Sequence, residues 1–108
     1  MHITITAPHM DITPALSEAV HEKVQRLAKH SERDLRIHVA LTVENGRHKA
    51  EMTVHNEGEP FVASATEADM YTSINKAART IDRQWRKRKT ARMAARHKSV
   101  PLKRMALS

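Results

Sequence analysis

The sequence predicts an α+β domain with the element order β-α-β-β-β-α. Three observations carry this. Apolar and polar residues alternate with period two in several short stretches, an Asn-Gly pair joins two of them, and two longer stretches place apolar residues at helical spacing behind helix-start signals. With 108 residues, 40% of them hydrophobic, the chain suits a single modest core and one domain. Phe61, Tyr71 and Trp85 are its only aromatics, so Ile, Val, Leu, Met and Ala must fill most of that core.

His2 to Ala7 alternates, with Ile3 and Ile5 pointing one way, and reads as the first strand. Thr13 and Pro14 then supply a hydroxyl N-cap and a proline at the first helical position. Leu16, Val20, Val24, Leu27 and Ala28 follow on one stripe, so the first helix is expected from about Pro14 to His30. Leu35, Ile37, Val39, Leu41 and Val43 mark a half-buried strand. Asn45 and Gly46 suit a tight hairpin with positive φ, and His48, Ala50, Met52 and Val54 resume the alternation on the return strand. A turn at Asn56 to Pro60 leads to a fourth strand near Phe61 to Ala65, completing an antiparallel meander. Thr66 and Asp69 have the spacing of a capping box and open a long second helix.

On that helix Met70, Tyr71, Ile74, Ala77, Ala78, Ile81 and Trp85 form the apolar stripe, and Lys76, Arg79, Arg83, Arg86 and Lys87 centre on the opposite side. One face is expected on the sheet and a basic ridge in solvent. After Trp85 the pattern changes, because Arg88, Lys89 and Arg92 take positions that would continue the apolar stripe. The helix is therefore expected to leave the body or end there. The segment 91–108 reads as a basic, disordered extension that settles on a polyanion: it has too few large apolar residues for a core, and Pro101 interrupts a regular continuation.

Charge is as unevenly distributed as hydrophobicity. Residues 1–54 hold seven Lys or Arg and seven Asp or Glu, whereas Lys76 to Arg104 holds twelve bases and one acid, Asp82. A basic block on a neutral body is the electrostatic footprint of a nucleic-acid binder, since cations displace the counterions condensed on phosphate. A solvated face or tail is the plainer reading of the same charges. Several observations favour RNA over DNA. The bases run along a helix flank, no zinc, zipper or basic-region pattern accompanies them, and Arg, which suits bidentate phosphate contacts, outnumbers Lys from Arg79 to Arg96. Tyr71 and Trp85 have rings able to stack on bases, but their place in the apolar stripe points to the core.

Other chemistries find little support. The chain has no cysteine, which excludes disulfides, thiolate zinc sites and Cys nucleophiles. Its eight histidines, His2, His9, His21, His30, His38, His48, His55 and His97, lack metal-ligand spacing with an acidic partner, so no metal and no cofactor are expected. Ser17, Ser64 and Ser73 lack a nucleophile-elbow context, and Gly46 and Gly58 alone cannot build a phosphate-cradling loop. No enzyme activity and no small-molecule substrate are expected. The N-terminus has no signal-peptide pattern and no stretch reaches membrane-spanning length, which points to a cytoplasmic protein with no membrane partner.

The element order, "HMDITPAL" with Met10, Ile12, Thr13, Pro14 and Ala15, and "EADMYTSINKAARTIDRQWRKRK" from Glu67 to Lys89 resemble the short bacterial ribosome hibernation factors, the family of hibernation promoting factor and ribosome-associated inhibitor A. Asp69, Met70 and Tyr71, followed by Ile74 and the Arg83, Gln84 pair, are the more specific part of a likeness that covers about residues 1–90. It implies a ribosome-binding domain over 1–90, with two parallel helices on one face of a four-stranded sheet, similar to a double-stranded RNA-binding domain. It further implies binding to ribosomal RNA of the small subunit within the 70S ribosome at the decoding region, with mRNA and tRNA sites blocked and translation inhibited in stress or stationary phase. A general RNA-binding protein of ribosome assembly, or an RNA chaperone, is the alternative.

Matched onto this sequence, the family's RNA-binding positions are Lys23, Arg26 and Lys29 on the first helix, and Arg79, Arg83, Arg86, Lys87 and the bases beyond, Arg88, Lys89 and Arg92, on the second; Lys76 joins them by its place on the ridge. Met70 and Tyr71 are expected to brace the second helix against the sheet. Lys76 departs from the family pattern, in which an acidic or neutral residue is common, and Arg88 and Lys89 make the helix end unusually basic. The longer members' dimerising domain has no counterpart in the sequence, so a monomer that does not itself pair ribosomes is expected.

Overall fold

In the computed structural model of the chain, residues 1–29, 31, 34–56 and 58–107 are described, with side chains through Ala94. The elements are β1 (His2–Thr6), α1 (Pro14–Ala28), β2 (Arg36–Glu44), β3 (Arg47–His55), β4 (Phe61–Glu67) and α2 (Met70–Leu107). The sheet order is β1-β2-β3-β4, with β1 parallel to β2 and the other two pairings antiparallel. That topology fixes the helix directions. α1 is the crossover between parallel strands and runs back against them, and α2 leaves β4, which points the same way as β1, and packs back along the sheet. The helices are therefore parallel, with both N-termini at the end of the sheet that carries the β2–β3 turn.

Register explains the core. Ile5, Val39, Met52 and Ala63 form one row across the four strands, and Ile3, Ile37, Val54 and Phe61 form the next. All point to the helix side, where Val20, Val24, Ile74, Ala77 and Ile81 close over them with next to no exposure. The alternate residues, such as Thr4, His38, Glu51 and Ser64, lie on the face no helix covers. Asn45 and Gly46 take φ of 51° and 73°, the left-handed pair that matches a two-residue hairpin to the strand twist.

Both helix starts are capped, one of them differently from expectation. Thr13 Oγ1 accepts from the Leu16 N–H at 3.1 Å, with Pro14 in the first turn. At α2 the cap is Asp69, whose carboxylate accepts from the Thr72 N–H at 3.0 Å and from the Thr72 hydroxyl. Thr66, expected in that role, belongs to β4 and pairs with Lys49. Ser73, buried behind the cap, donates its hydroxyl to the His48 carbonyl and ties the helix start to β3.

The Thr72 hydroxyl, and then its amide, hold the Asp69 carboxyl below the usual aspartate value. A depressed carboxyl stabilises the fold above the unfolded-chain value, and the contribution disappears as pH falls through the folded one. Asp69→Ala is accordingly expected to lower the urea midpoint at pH 7, with the gap to the unaltered protein narrowing as pH falls below the ordinary aspartate value of about 3.9. Urea melts above and below that value check this, and an unchanged gap at low pH would exclude the charged cap.

Two further expectations are corrected. Tyr71 is 49% exposed and does not brace the helix, whereas Met70 beside it is buried. Tyr71 stands about 100° around the helix from Met70, at the margin of the apolar stripe and in the first turn. The expected interruption at Pro101 is absent, since α2 runs on to Leu107. A helix already nucleated on the core propagates at low cost, and Ala91, Ala94 and Ala95 favour it. Among the residues whose side chains are described, the last buried one is Trp85, and Lys89 through Met93 are exposed. His30, the expected end of α1, lies outside the described residues, and the helix is capped at Lys29.

Candidate nucleic-acid interface

The parallel helices leave a cleft between them, and the basic residues of both converge on it. Lys23 and Arg26 line one wall, Arg79 and Arg86 the other, with Asn75, Leu27 and Ala78 completing a groove of about 340 Å³. Asp82 is the one acid in the lining. It pairs with Arg86 at 2.6 Å, one turn apart on the same helix. Arg26 reaches Glu22 at 3.4 Å in the same spacing on α1. The Arg26–Glu22 pair is exposed on both sides, so it steers side chains more than it stabilises the fold, whereas the Asp82 side chain is only 25% exposed. Lys29 is exposed at the C-terminal cap of α1, where a cation complements the helix dipole.

The ridge read from the sequence as one surface divides in two. At about 100° per residue, Arg79 and Arg86 fall on the α1 flank of α2, Arg83 on the crest, and Lys76 and Lys87 on the β4 flank. Arg79, Arg83 and Lys87 are exposed and make no ion pair or side-chain hydrogen bond among the described residues, which leaves their charge available to a partner. Lys76 is engaged: its ammonium contacts Glu67 of β4 at 2.7 Å. Arg88 is engaged more fully, donating to the Glu59 carbonyl at 2.7 Å with its guanidinium carbon 3.7 Å from the centre of the Phe61 ring. Lys89 and Arg92 are exposed on the part of α2 beyond the last core residue.

The structure thus brings Lys23, Arg26, Arg79 and Arg86 into one cleft, sets Arg83 on the crest next to it, leaves Lys29 at the C-terminal cap of α1, places Lys87 with Lys76 and Arg88 on the β4 side, and exposes Lys89 and Arg92 farther along α2. Asn75, missed in the sequence, lines the cleft as a neutral hydrogen-bonding group; its place between Ala78 and Arg79 on the helical wheel was the available signal. Among the described residues no group of three His, Asp or Glu side chains is placed to hold a metal ion, and no helix is long and apolar enough to cross a membrane. A cationic groove of this kind suits a phosphate backbone: the guanidinium groups offer paired donors, and the ammonium groups offer point charges.

Residues 3–93 match the family model described as sigma 54 modulation protein / S30EA ribosomal protein. The chain is similar to the ribosome hibernation promoting factor of Azotobacter vinelandii, 39% identical over 89 residues that cover 82% of this chain and 83% of the relative. Among solved structures it resembles the N-terminal domain of Protein Y from Thermus thermophilus, with a TM-score of 0.76 and 25% identity over 81% of this chain and 98% of the other. It also resembles a ribosomal subunit interface protein from Coxiella burnetii, with a TM-score of 0.74 and 26% identity over 83% and 99% of the two chains.

Proposed function

The chain belongs to the sigma 54 modulation protein / S30EA ribosomal protein family, and on that premise we propose that it is a ribosome hibernation factor. It binds the small ribosomal subunit at the decoding region through ribosomal RNA, occupies mRNA and tRNA positions, and stops translation in stress or stationary phase. The observation that carries this reading is the convergence of bases from two parallel helices on one cleft, with Arg83, which makes no ion pair among the described residues, on the crest next to it. Such a face follows phosphates of a folded RNA by shape and charge.

Inhibition is by occupancy. The cleft offers cations, an amide and one carboxylate held by Arg86, which hold and exclude without making or breaking a bond. Residues 1–90 act as the binding unit, a monomer in the cytoplasm, and the basic extension over 91–108 adds charge along the same RNA.

The test is a translation assay paired with sucrose-gradient fractionation over a salt series. The expected result is inhibition with co-sedimentation on small subunits and 70S ribosomes. If about five to eight phosphates are engaged, a fourfold rise in monovalent salt lowers affinity by about two to four orders of magnitude. Equal affinity for arbitrary duplex RNA, or a flat salt response, would refute the reading; the first of these would indicate a general RNA-binding protein instead.

A further inference from the structure

Arg88 occupies a position where the apolar stripe of α2 would continue. It lies three residues beyond Trp85 and seven beyond Ile81, both buried, and this spacing returns it to the sheet side of the helix. A cation there is expected to point away, yet its guanidinium covers the Phe61 ring with Cζ 3.7 Å from the centroid. Phe61 in turn stacks on Trp85, with centroids 5.1 Å apart and planes 14° from parallel. The same guanidinium donates to the Glu59 carbonyl at 2.7 Å, in the turn before β4. One helical turn earlier, Gln84 donates to the Val62 carbonyl at 3.0 Å. Two side chains of α2 thus grip carbonyls of the outermost strand and its approach, at the point where the helix departs from the core.

We propose that Arg88 is a positioning residue that fastens α2 to the start of β4, fixing the direction in which the helix carrying Lys89 and Arg92 leaves the body, and is not itself an RNA contact. The consequence for binding rests on the reading of that face as the RNA-binding one; the fastening does not. Arginine suits the task because one planar group lies flat on a ring while donating in its own plane. Lysine keeps the charge and loses that geometry.

Trp85, the only tryptophan, reports on the fastening directly. In the free protein, Arg88→Lys and Arg88→Ala are both expected to shift Trp85 emission to longer wavelength, increase its quenching by acrylamide, and speed amide exchange at Glu59, Phe61 and Val62. On ribosomes both are expected to bind roughly two- to fivefold more weakly, the scale of one exposed cation–π contact, with the slope of log affinity against log salt unchanged. Full rescue by Arg88→Lys, with unaltered Trp85 emission and a slope reduced by about 0.7–0.9 in Arg88→Ala, would overturn the proposal and make Arg88 a phosphate contact. Unchanged emission and exchange in both variants would overturn it equally. A Lys23→Glu, Arg79→Glu double variant that still co-sediments with ribosomes would remove the RNA-face reading, while the measurements on the free protein would still decide the fastening.

Discussion

Reversing three charges, Lys23→Glu, Arg79→Glu and Arg83→Glu together, is expected to abolish stable ribosome association while leaving the melting transition nearly unchanged. The three residues come from both cleft walls and the crest, and none of them makes an ion pair among the described residues. Surface substitutions of this kind usually move stability by less than about 0.5 kcal/mol. Binding is affected differently. A hydrogen bond to a charged group contributes about 1.5–3 kcal/mol, so removing three costs roughly three orders of magnitude in affinity or more, and the introduced carboxylates add repulsion from phosphate. The salt slope should also flatten by about 0.7–0.9 for each phosphate that is no longer neutralised. Co-sedimentation at two salt concentrations beside a thermal melt checks both halves. Lys76→Ala is the internal contrast: its ammonium already sits on Glu67, and its removal is expected to weaken binding far less. Equal weakening in the two variants would mean that general charge, and not this cleft, sets the affinity.

The contrast between Arg79 and Lys76 also marks how far the sequence is legible. Element order and the buried faces follow from periodicity, because a half-buried strand or helix has one dominant choice to make, in or out. The alternation of Ile37, Val39 and Leu41 and the stripe through Ile74 and Ile81 are buried on the faces their spacing selects. Which flank of α2 faces α1 and which faces β4 is a different question. It depends on the handed crossover and on where α1 lies, so bases with the same outward direction on a helical wheel divide between a cleft and a strand edge. Arg88 is legible in the sequence only as an anomaly, a base where the stripe should continue. Resolving it requires Phe61, twenty-seven positions away in the chain and adjacent only across the fold. The Asp69 cap and the exposure of Tyr71 escape the sequence for a local reason: both lie at a helix start, where one residue of register decides which side chain meets the backbone and which meets water.

Ile81→Ala is expected to have the largest effect on stability and to act on function only through it. Ile81 is fully buried on α2, directly behind the ridge that carries Arg79 and Arg83. Truncating it removes three carbons from a packed site, and such changes cost about 2–5 kcal/mol because the surroundings close the cavity only in part. For a domain whose total stability is about 5–15 kcal/mol, that is a melting point lowered by roughly 10–25 °C. Below the transition the remaining folded molecules present the same cleft, so ribosome affinity should fall only by the folded fraction. Near the transition, binding and helical signal should decline together. The pattern is the converse of the charge reversal, which leaves the fold and loses the partner. A variant at Ile81 that failed to bind ribosomes with no change in melting would place this side chain in the interface, and the amphipathic division of α2 into a core face and an RNA face would have to be abandoned.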